Sequence, residues 1–215
     1  MLSEFSAVVF DLDGTLVDTL PDLHGALVRA LSDLGLPGVP ERVVKSSLHG
    51  GLEASTAAAL IWLRADRWVY EPLLKAYRSH YDHMECSLSR VFDGVPEMLE
   101  DLHGEGVALG VCTNKAVSSA RSLLQQLEIA HYFKTIVGAD SCSRRKPDPM
   151  PLSYALRLLG AAHSRSLFIG DSIVDYECAK AAQVEFRLYA GGYGTEEVLE
   201  DSTVRVIQGY RRSLV

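Results

Sequence analysis

No apolar run in this sequence is long enough to cross a bilayer. The first, Ala7 to Phe10, runs straight into Asp11 and Asp13, whereas a span needs about 20 apolar residues. The N-terminal MLSEFS carries Glu4 and no Lys or Arg, so it lacks the basic start expected of a secretory signal. Cysteine is scarce. The four present (Cys86, Cys112, Cys142 and Cys178) form no Cys-x-x-Cys pair and have no His nearby at zinc spacing, which argues against a zinc site or a disulfide framework. Free thiols in a chain without a signal point to a reducing cytoplasm. Basic charge is also in short supply, with 21 Lys and Arg against 28 Asp and Glu and a formal net charge of -7. The densest basic cluster, Arg144-Arg145-Lys146, is too short for an electrostatic groove, so nucleic acid is not an expected partner. An anionic ligand must then be held locally, by a cation, a few amide groups or one lysine. Tandem repeats and low-complexity tracts are absent, and the 17 Gly and 8 Pro are scattered, which excludes fibrous and disordered classes.

What is present is ordinary in amount and ordered in pattern. The chain has 215 residues, 47% of them hydrophobic and 23% charged. That suits one domain, or one domain carrying an insert, able to bury roughly 70% of its unfolded surface without a disulfide or metal staple. FSAVVF (Phe5 to Phe10) is a short apolar run of the kind that forms a strand buried on both faces. VALGVC (Val107 to Cys112), KTIVGA (Lys134 to Ala139), SLFIG (Ser166 to Gly170) and VEFRLYA (Val184 to Ala190) read similarly. Helical spacing lies between them, in Val95, Met98, Leu99 and Leu102 with Gly104 as a stop, in Ala116 to Leu127, and in Leu152 to Leu159 before Gly160. Alternating strands and helices predict an α/β fold, a Rossmann-like parallel sheet with helices on both faces.

One interval breaks the alternation. From about Val17 to Arg90 there is no convincing strand, and the stretch is too long for a plain loop. Apolar periodicity near Leu20 to Leu34, Leu52 to Leu63 and Val69 to Tyr81, divided by LGLPGVP and by His49-Gly50-Gly51, predicts a small helical domain inserted after the first strand. The expected division is a discontinuous α/β core of residues 1–17 and 90–215 with a helical insert of residues 18–89.

Open parallel sheets bind ligands at the carboxyl ends of their strands. After the first strand stand Asp11-Leu12-Asp13-Gly14-Thr15; after VALGVC, Thr113-Asn114-Lys115; after SLFIG, Asp171-Ser172 with Asp175 one turn on; beyond KTIVGA, Lys146-Pro147. Each has an ordinary reading. Asp13-Gly14 suits a tight turn, Thr113 or Asn114 a helix N-cap, Ser172 with Asp175 a helix start, and Lys146 a solvated surface. Four polar groups at four strand ends on one sheet edge nevertheless predict a site.

In FDLDGTLVDT (Phe10 to Thr19), CTNK (Cys112 to Lys115), RKPDP (Arg145 to Pro149) and GDSIVD (Gly170 to Asp175), the sequence resembles the four signature motifs of the haloacid dehalogenase-like hydrolase superfamily. The helical insert corresponds to that family's cap. The resemblance implies that Asp11 is a nucleophile attacking phosphorus to form an aspartyl-phosphate. A carboxylate approaching a phosphate is repelled by about 4 kcal/mol per unit-charge pair at 4 Å and an effective dielectric of 20. Mg²⁺ is the expected remedy, held by Asp11, Asp171 and the backbone carbonyl of Asp13, with Asp175 in direct or water-mediated support. Lys146 adds a second positive charge. Thr113 and the amide groups around Asn114 hold phosphate oxygens. Asp13 protonates the leaving alkoxide and then takes a proton from water. Its presence favours a phosphatase over a dehalogenase, since halide needs no proton to leave.

The resemblance extends to phosphoglycolate phosphatases in the form of CTNK, in SCSRRKPDPMPLSYAL (Ser141 to Leu156) and in YAGGYG (Tyr189 to Gly194). It implies a small phosphorylated metabolite as partner, 2-phosphoglycolate first. Pyrophosphate, N-acetylmuramate 6-phosphate and other sugar phosphates remain alternatives. Beyond hydrolysis stand a β-phosphoglucomutase-like isomerase and a non-catalytic phospho-ligand binder. His49, Gly50 and Gly51 either form the cap loop that reads the leaving group or make an ordinary turn. His24, His80, His83, His103, His131 and His163 lack metal spacing and read as surface or core. Where the family usually ends a helix with Gly, Lys180-Ala181-Ala182 is followed by Gln183; a left-handed backbone there would cost roughly 1 kcal/mol. Monomer and homodimer both stay open.

Overall fold

The computed structural model describes residues 2–82, 87–196 and 198–210; His83 and Cys86 lie outside them. Contacts divide the chain into two compact units, residues 1–18 with 90–215 and residues 19–89. The first is built on a parallel sheet of β1 (Ala7–Phe10), β4 (Ala108–Cys112), β5 (Thr135–Val137), β6 (Ser166–Gly170), β7 (Glu185–Tyr189) and β8 (Arg205–Ile207), in the order β5-β4-β1-β6-β7-β8. β1 sits at the centre, pairing in parallel with β4 (Phe10 opposite Val111) and with β6 (Phe10 opposite Ile169). Its four residues are all buried, as an uninterrupted apolar run requires. The chain steps outward from β1 to β4 and β5, then crosses to β6 on the other side. This reversal at the central strand opens a crevice at the strands' carboxyl ends.

Side chains alternate faces along each strand. Ala7, Val9, Ala108, Cys112 and Phe168 pack with Leu152, Ala155 and Leu156 of α7 (Met150–Leu159) and with Cys178, Ala179 and Ala182 of α8 (Ile173–Ala182). The alternate set, with Val8, Phe10, Leu109 and Val111, is equally buried. α5 (Val95–Gly104) packs on β4 and α6 (Val117–Gln126) on β5. Two short strands, β2 (Val17–Asp18) and β3 (Arg90–Val91), pair antiparallel where the chain leaves and re-enters this unit. β8 lies beyond the last strand visible in the sequence pattern.

Helix ends correct one expectation. Gly104 is the last residue of α5 rather than its stop; the left-handed position is Gly106, at φ +78°. There the Val107 N–H reaches the Leu102 carbonyl at 3.0 Å and the Gly106 N–H reaches that of His103 at 3.1 Å, which occupies carbonyls the helix leaves free. Gly160 does end α7 in the left-handed region, and Gln183 ends α8 there, at φ 56°.

The second unit consists of α1 (Leu20–Asp33), the short α2 (Glu41–Lys45), α3 (Gly51–Leu63) and α4 (Tyr70–Asp82). α1 packs on α4 and α2, and α3 on α4 and α2, around Leu23, Leu27, Leu31, Leu60, Leu73 and Tyr77. α2 was not visible as periodicity because it is only five residues long. Buried Asp22 fastens the end of the unit to its beginning. Its carboxylate accepts from the N–H groups of Leu88 at 3.1 Å and Ser89 at 2.6 Å and from the Ser89 hydroxyl at 2.7 Å. No helix among the described residues is long and apolar enough to cross a membrane.

Candidate active site

The loops after β1, β4 and β6, together with the loop that precedes α7, bring the four sequence motifs to one edge of the sheet. Asp11 follows Phe10 directly and continues the strand, its N–H bonded to the Ile169 carbonyl at 2.9 Å. Gly14 then turns the chain at φ +86°, where an added Cβ would strike the Asp171 carboxylate and the Tyr193 ring. Asp171 and Asp175 come from the end of β6 and the first turn of α8. Ser172 is the N-cap of α8, its hydroxyl accepting from the Asp175 N–H at 3.3 Å and donating to the Asp175 carboxylate. The ordinary capping role and the site role therefore coincide in one pair of residues.

Lys146 binds this edge together. Its ammonium lies 2.8 Å from Asp11 Oδ1 and 2.6 Å from Asp175 Oδ1, with the side chain almost wholly buried. Burial opposes its charge, yet Asp11 and Asp175 together hold its pKa well above the usual lysine value. Asp171 is held on both oxygens, by the Thr15 hydroxyl at 2.9 Å and by the Tyr193 N–H at 2.7 Å. The Tyr210 hydroxyl donates to the Thr15 carbonyl at 3.0 Å, and its ring stacks on Tyr189 at 4.5 Å.

Asp11, Asp171 and Asp175 are all buried, and each offers an oxygen within 4.8 Å of the others. Burial pushes the Asp11 carboxyl up to about 7, with Lys146 opposing and Asp175 and Asp171 adding to the rise. Asp171 is pushed up to about 7 by burial and by Asp175, against the Tyr193 and Thr15 hydrogen bonds. Three buried carboxylates against one ammonium leave negative charge uncompensated, and a buried charge without a partner is costly. The donor set is all oxygen. It fits a hard divalent cation.

Other expected residues sit differently. The Asp13 side chain is not in this carboxylate group; both of its oxygens accept from Lys115 Nζ, at 2.8 and 3.0 Å. Thr113 and Asn114 do not begin a helix, because α6 starts at Val117. The Thr113 hydroxyl accepts from the Lys115 N–H at 3.2 Å, and the Val117 N–H is met by Asp140 Oδ1 at 2.9 Å. This cap comes from a neighbouring loop, which local sequence does not reveal. The Asn114 amide donates to the Lys146 carbonyl at 3.1 Å, tying two motif loops together. His49 and Gly50 lie in a 3-10 turn of the helical unit, and Gly51, at φ +77°, opens α3.

Four neighbours of the site had no assigned role in the sequence reading: Thr15, Lys115, Tyr193 and Tyr210. Thr15, Lys115 and Tyr193 stand inside the quoted motif strings. Tyr210 has no motif, and only its burial marks it.

Comparison with known proteins agrees with this geometry. The family model described as haloacid dehalogenase-like hydrolase matches residues 8–188. The chain is 39% identical over 187 residues, 87% of its length and 82% of the relative's, to an N-acetylmuramic acid 6-phosphate phosphatase of Pseudomonas aeruginosa. It is 36% identical over 210 residues, 95% of its length and 87% of the relative's, to a phosphoglycolate phosphatase of Rhodospirillum rubrum. In structure it resembles a crystal structure described as a predicted phosphoglycolate phosphatase from Haemophilus somnus. The TM-score is 0.88 at 28% identity, covering 96% of this chain and 95% of that one. Phosphatases of this kind generally use a divalent metal, in keeping with the buried aspartate trio. From the motif order, the parallel sheet and these matches, the chain belongs to the haloacid dehalogenase-like hydrolase family.

Proposed function

We propose that this hydrolase is a cytoplasmic, Mg²⁺-dependent phosphatase for a small phosphate monoester, with 2-phosphoglycolate the leading substrate. The observation that carries the reading is Asp11, buried at the end of the central strand, with the Lys146 ammonium 2.8 Å away and Asp171 and Asp175 beside it. Mg²⁺, held by Asp11 and Asp171 with the Asp13 carbonyl and Asp175 in support, would offset the repulsion between carboxylate and phosphate. The Asp11 carboxylate attacks phosphorus, and the bond to the ester oxygen breaks as Asp13 delivers its proton to the leaving alcohol. Asp13, now ionised, takes a proton from water, whose oxygen attacks the aspartyl-phosphate and releases Asp11. Lys146 holds Asp11 in line and compensates its charge. The Thr113 hydroxyl and the amide groups around Asn114 receive phosphate oxygens, and His49, Gly50 and Gly51 are assigned to reading the leaving group.

Two relatives support different alcohols, so N-acetylmuramate 6-phosphate is kept as the second reading on its 39% identity. The deciding assay is phosphate release from 2-phosphoglycolate beside N-acetylmuramate 6-phosphate, pyrophosphate and hexose phosphates, with and without EDTA. A kcat/KM near or above about 10⁴ M⁻¹s⁻¹ for phosphoglycolate, well ahead of the panel and lost with EDTA, is expected. A lead for the muramate ester replaces the substrate. Conversion of a hexose phosphate without phosphate release replaces hydrolysis with isomerisation.

A further inference from the structure

Asp13 and Lys115 follow neighbouring strands of the sheet. Each lies three residues past its strand's last residue, Phe10 of β1 and Cys112 of β4. These strands are parallel neighbours with Phe10 opposite Val111, so Lys115 stands one residue beyond the position level with Asp13. The topology thus brings the two side chains together over the sheet edge, and the contact is bidentate, with Lys115 Nζ 2.8 Å from Asp13 Oδ1 and 3.0 Å from Oδ2. The pair is not a solvated surface bridge, since the side chains are only 4% and 13% exposed. A lysine taken out of water this far is costly in itself; what it supplies is a fixed point charge at a chosen place.

The backbone beneath Lys115 is locked. Its N–H donates to the Thr113 hydroxyl, and its carbonyl accepts from the Ala139 N–H at 2.9 Å. Gly138 packs so closely that a Cβ there would stand 2.5 Å from that carbonyl and 2.6 Å from the Val117 nitrogen. At the other end, Asp13 bridges to Val17 and is followed by Gly14 in its left-handed turn. An aspartate side chain normally samples several rotamers; a lysine on a fixed backbone that holds both oxygens of the ionised carboxylate, and one oxygen when the other carries the proton, favours one orientation.

We propose that Lys115 is the positioning residue for Asp13, setting the carboxyl group's direction for proton delivery to the leaving oxygen without itself touching the reacting atoms. This rests on the reading of Asp13 as the acid. In the ester-cleaving step, which kcat/KM reads, misplacing a proton donor by a fraction of a bond length penalises only those esters whose leaving group needs the proton; the later hydrolysis of the aspartyl-phosphate, common to all esters, is read in kcat.

The test compares two esters on the Mg²⁺-loaded enzyme: the alkyl phosphate that the wild type hydrolyses fastest, and p-nitrophenyl phosphate, whose phenolate leaves unprotonated. For Lys115→Met, kcat/KM on the alkyl ester is expected to fall about 100-fold and on the aryl ester less than about 3-fold. Lys115→Arg is expected to recover part of the alkyl activity. Retained aryl kcat/KM reports an intact fold and nucleophile. Lys115→Gln, one atom shorter and uncharged but still polar, gives the same ratio if the Met variant does not fold. Equal losses on the two esters in a variant with the wild-type unfolding temperature, or no loss on either, overturn the proposal. Asp13→Asn separates it from its premise. Equal losses there overturn the acid assignment, whereas an alkyl-selective loss in Asp13→Asn without one in Lys115→Met overturns the role of Lys115 alone.

Discussion

The two units of this chain bury polar groups to different ends. In the helical unit several buried polar side chains are satisfied locally: Asp22 receives donors from Leu88 and Ser89, Thr56 donates to the Leu52 carbonyl at 2.7 Å, and Ser55 meets Ser47 at 3.2 Å. In the sheet unit three carboxylates crowd one lysine, and burial drives two of them up to about 7. Satisfied polar groups are architecture. Like charges held together against their own repulsion are the mark of a site that expects a ligand.

Asp11→Asn attacks this contrast most directly. Turnover of every ester is expected to fall below about a thousandth of wild type. The unfolding temperature should not fall, because the substitution removes a charge that burial and two neighbouring carboxylates oppose. Retained phosphate release would place the nucleophile elsewhere.

Lys146→Met removes the ammonium shared by Asp11 and Asp175. A broken buried pair costs about 3–5 kcal/mol, so both activity and urea resistance should drop. A loss below about 1 kcal/mol would show the two carboxylates to be compensated by other groups.

Acidity and metal give the third, smaller effect. Burial and like charge raise Asp11 and Asp171 from the ordinary 3.8 to about 7. The folded carboxyls therefore keep protons that the unfolded ones release. Their contribution to stability is full below the unfolded value and declines as pH rises toward 7. Mg²⁺ should consequently raise the melting temperature more at about pH 8 than at about pH 5, where protons compete for the same oxygens. Equal shifts at the two pH values would place the cation elsewhere.

The smallest test uses one left-handed, non-glycine helix end from each unit, Gln183 after α8 and Arg64 after α3, at φ 56° and 51°. Gln183→Gly and Arg64→Gly are each expected to stabilise by roughly 1 kcal/mol. If the units unfold together, both variants raise one common transition. If they unfold separately, each variant moves only its own.

Much of this was visible in the linear order of residues. SLFIG forms β6 with the same ends, FSAVVF holds β1, and Leu152 to Gly160 locates all but the first two residues of α7 and its stop. Asp11, Asp171 and Asp175 were legible because strand ends and apolar runs are local patterns. Gly106 was misjudged as Gly104 because the stop is defined by bonds back to Leu102 and His103 rather than by the presence of glycine. β8 is short, and its pairing with β7 depends on a strand it meets only in space.

Sequence alone determined the alternation of strands and helices, the interruption by a helical insert, and the acidic and basic groups available at the strand ends. Short-range periodicity and residue chemistry carry that information. Tertiary structure alone decided which groups meet. Lys115 reaches Asp13 from 102 positions away, Thr15 reaches Asp171 across 156, and Tyr210 reaches Thr15 across 195. The physical reason is the sheet itself. Parallel pairing at the centre gathers loops from distant parts of the chain onto one edge, and only there do their charges and hydrogen bonds act on one another.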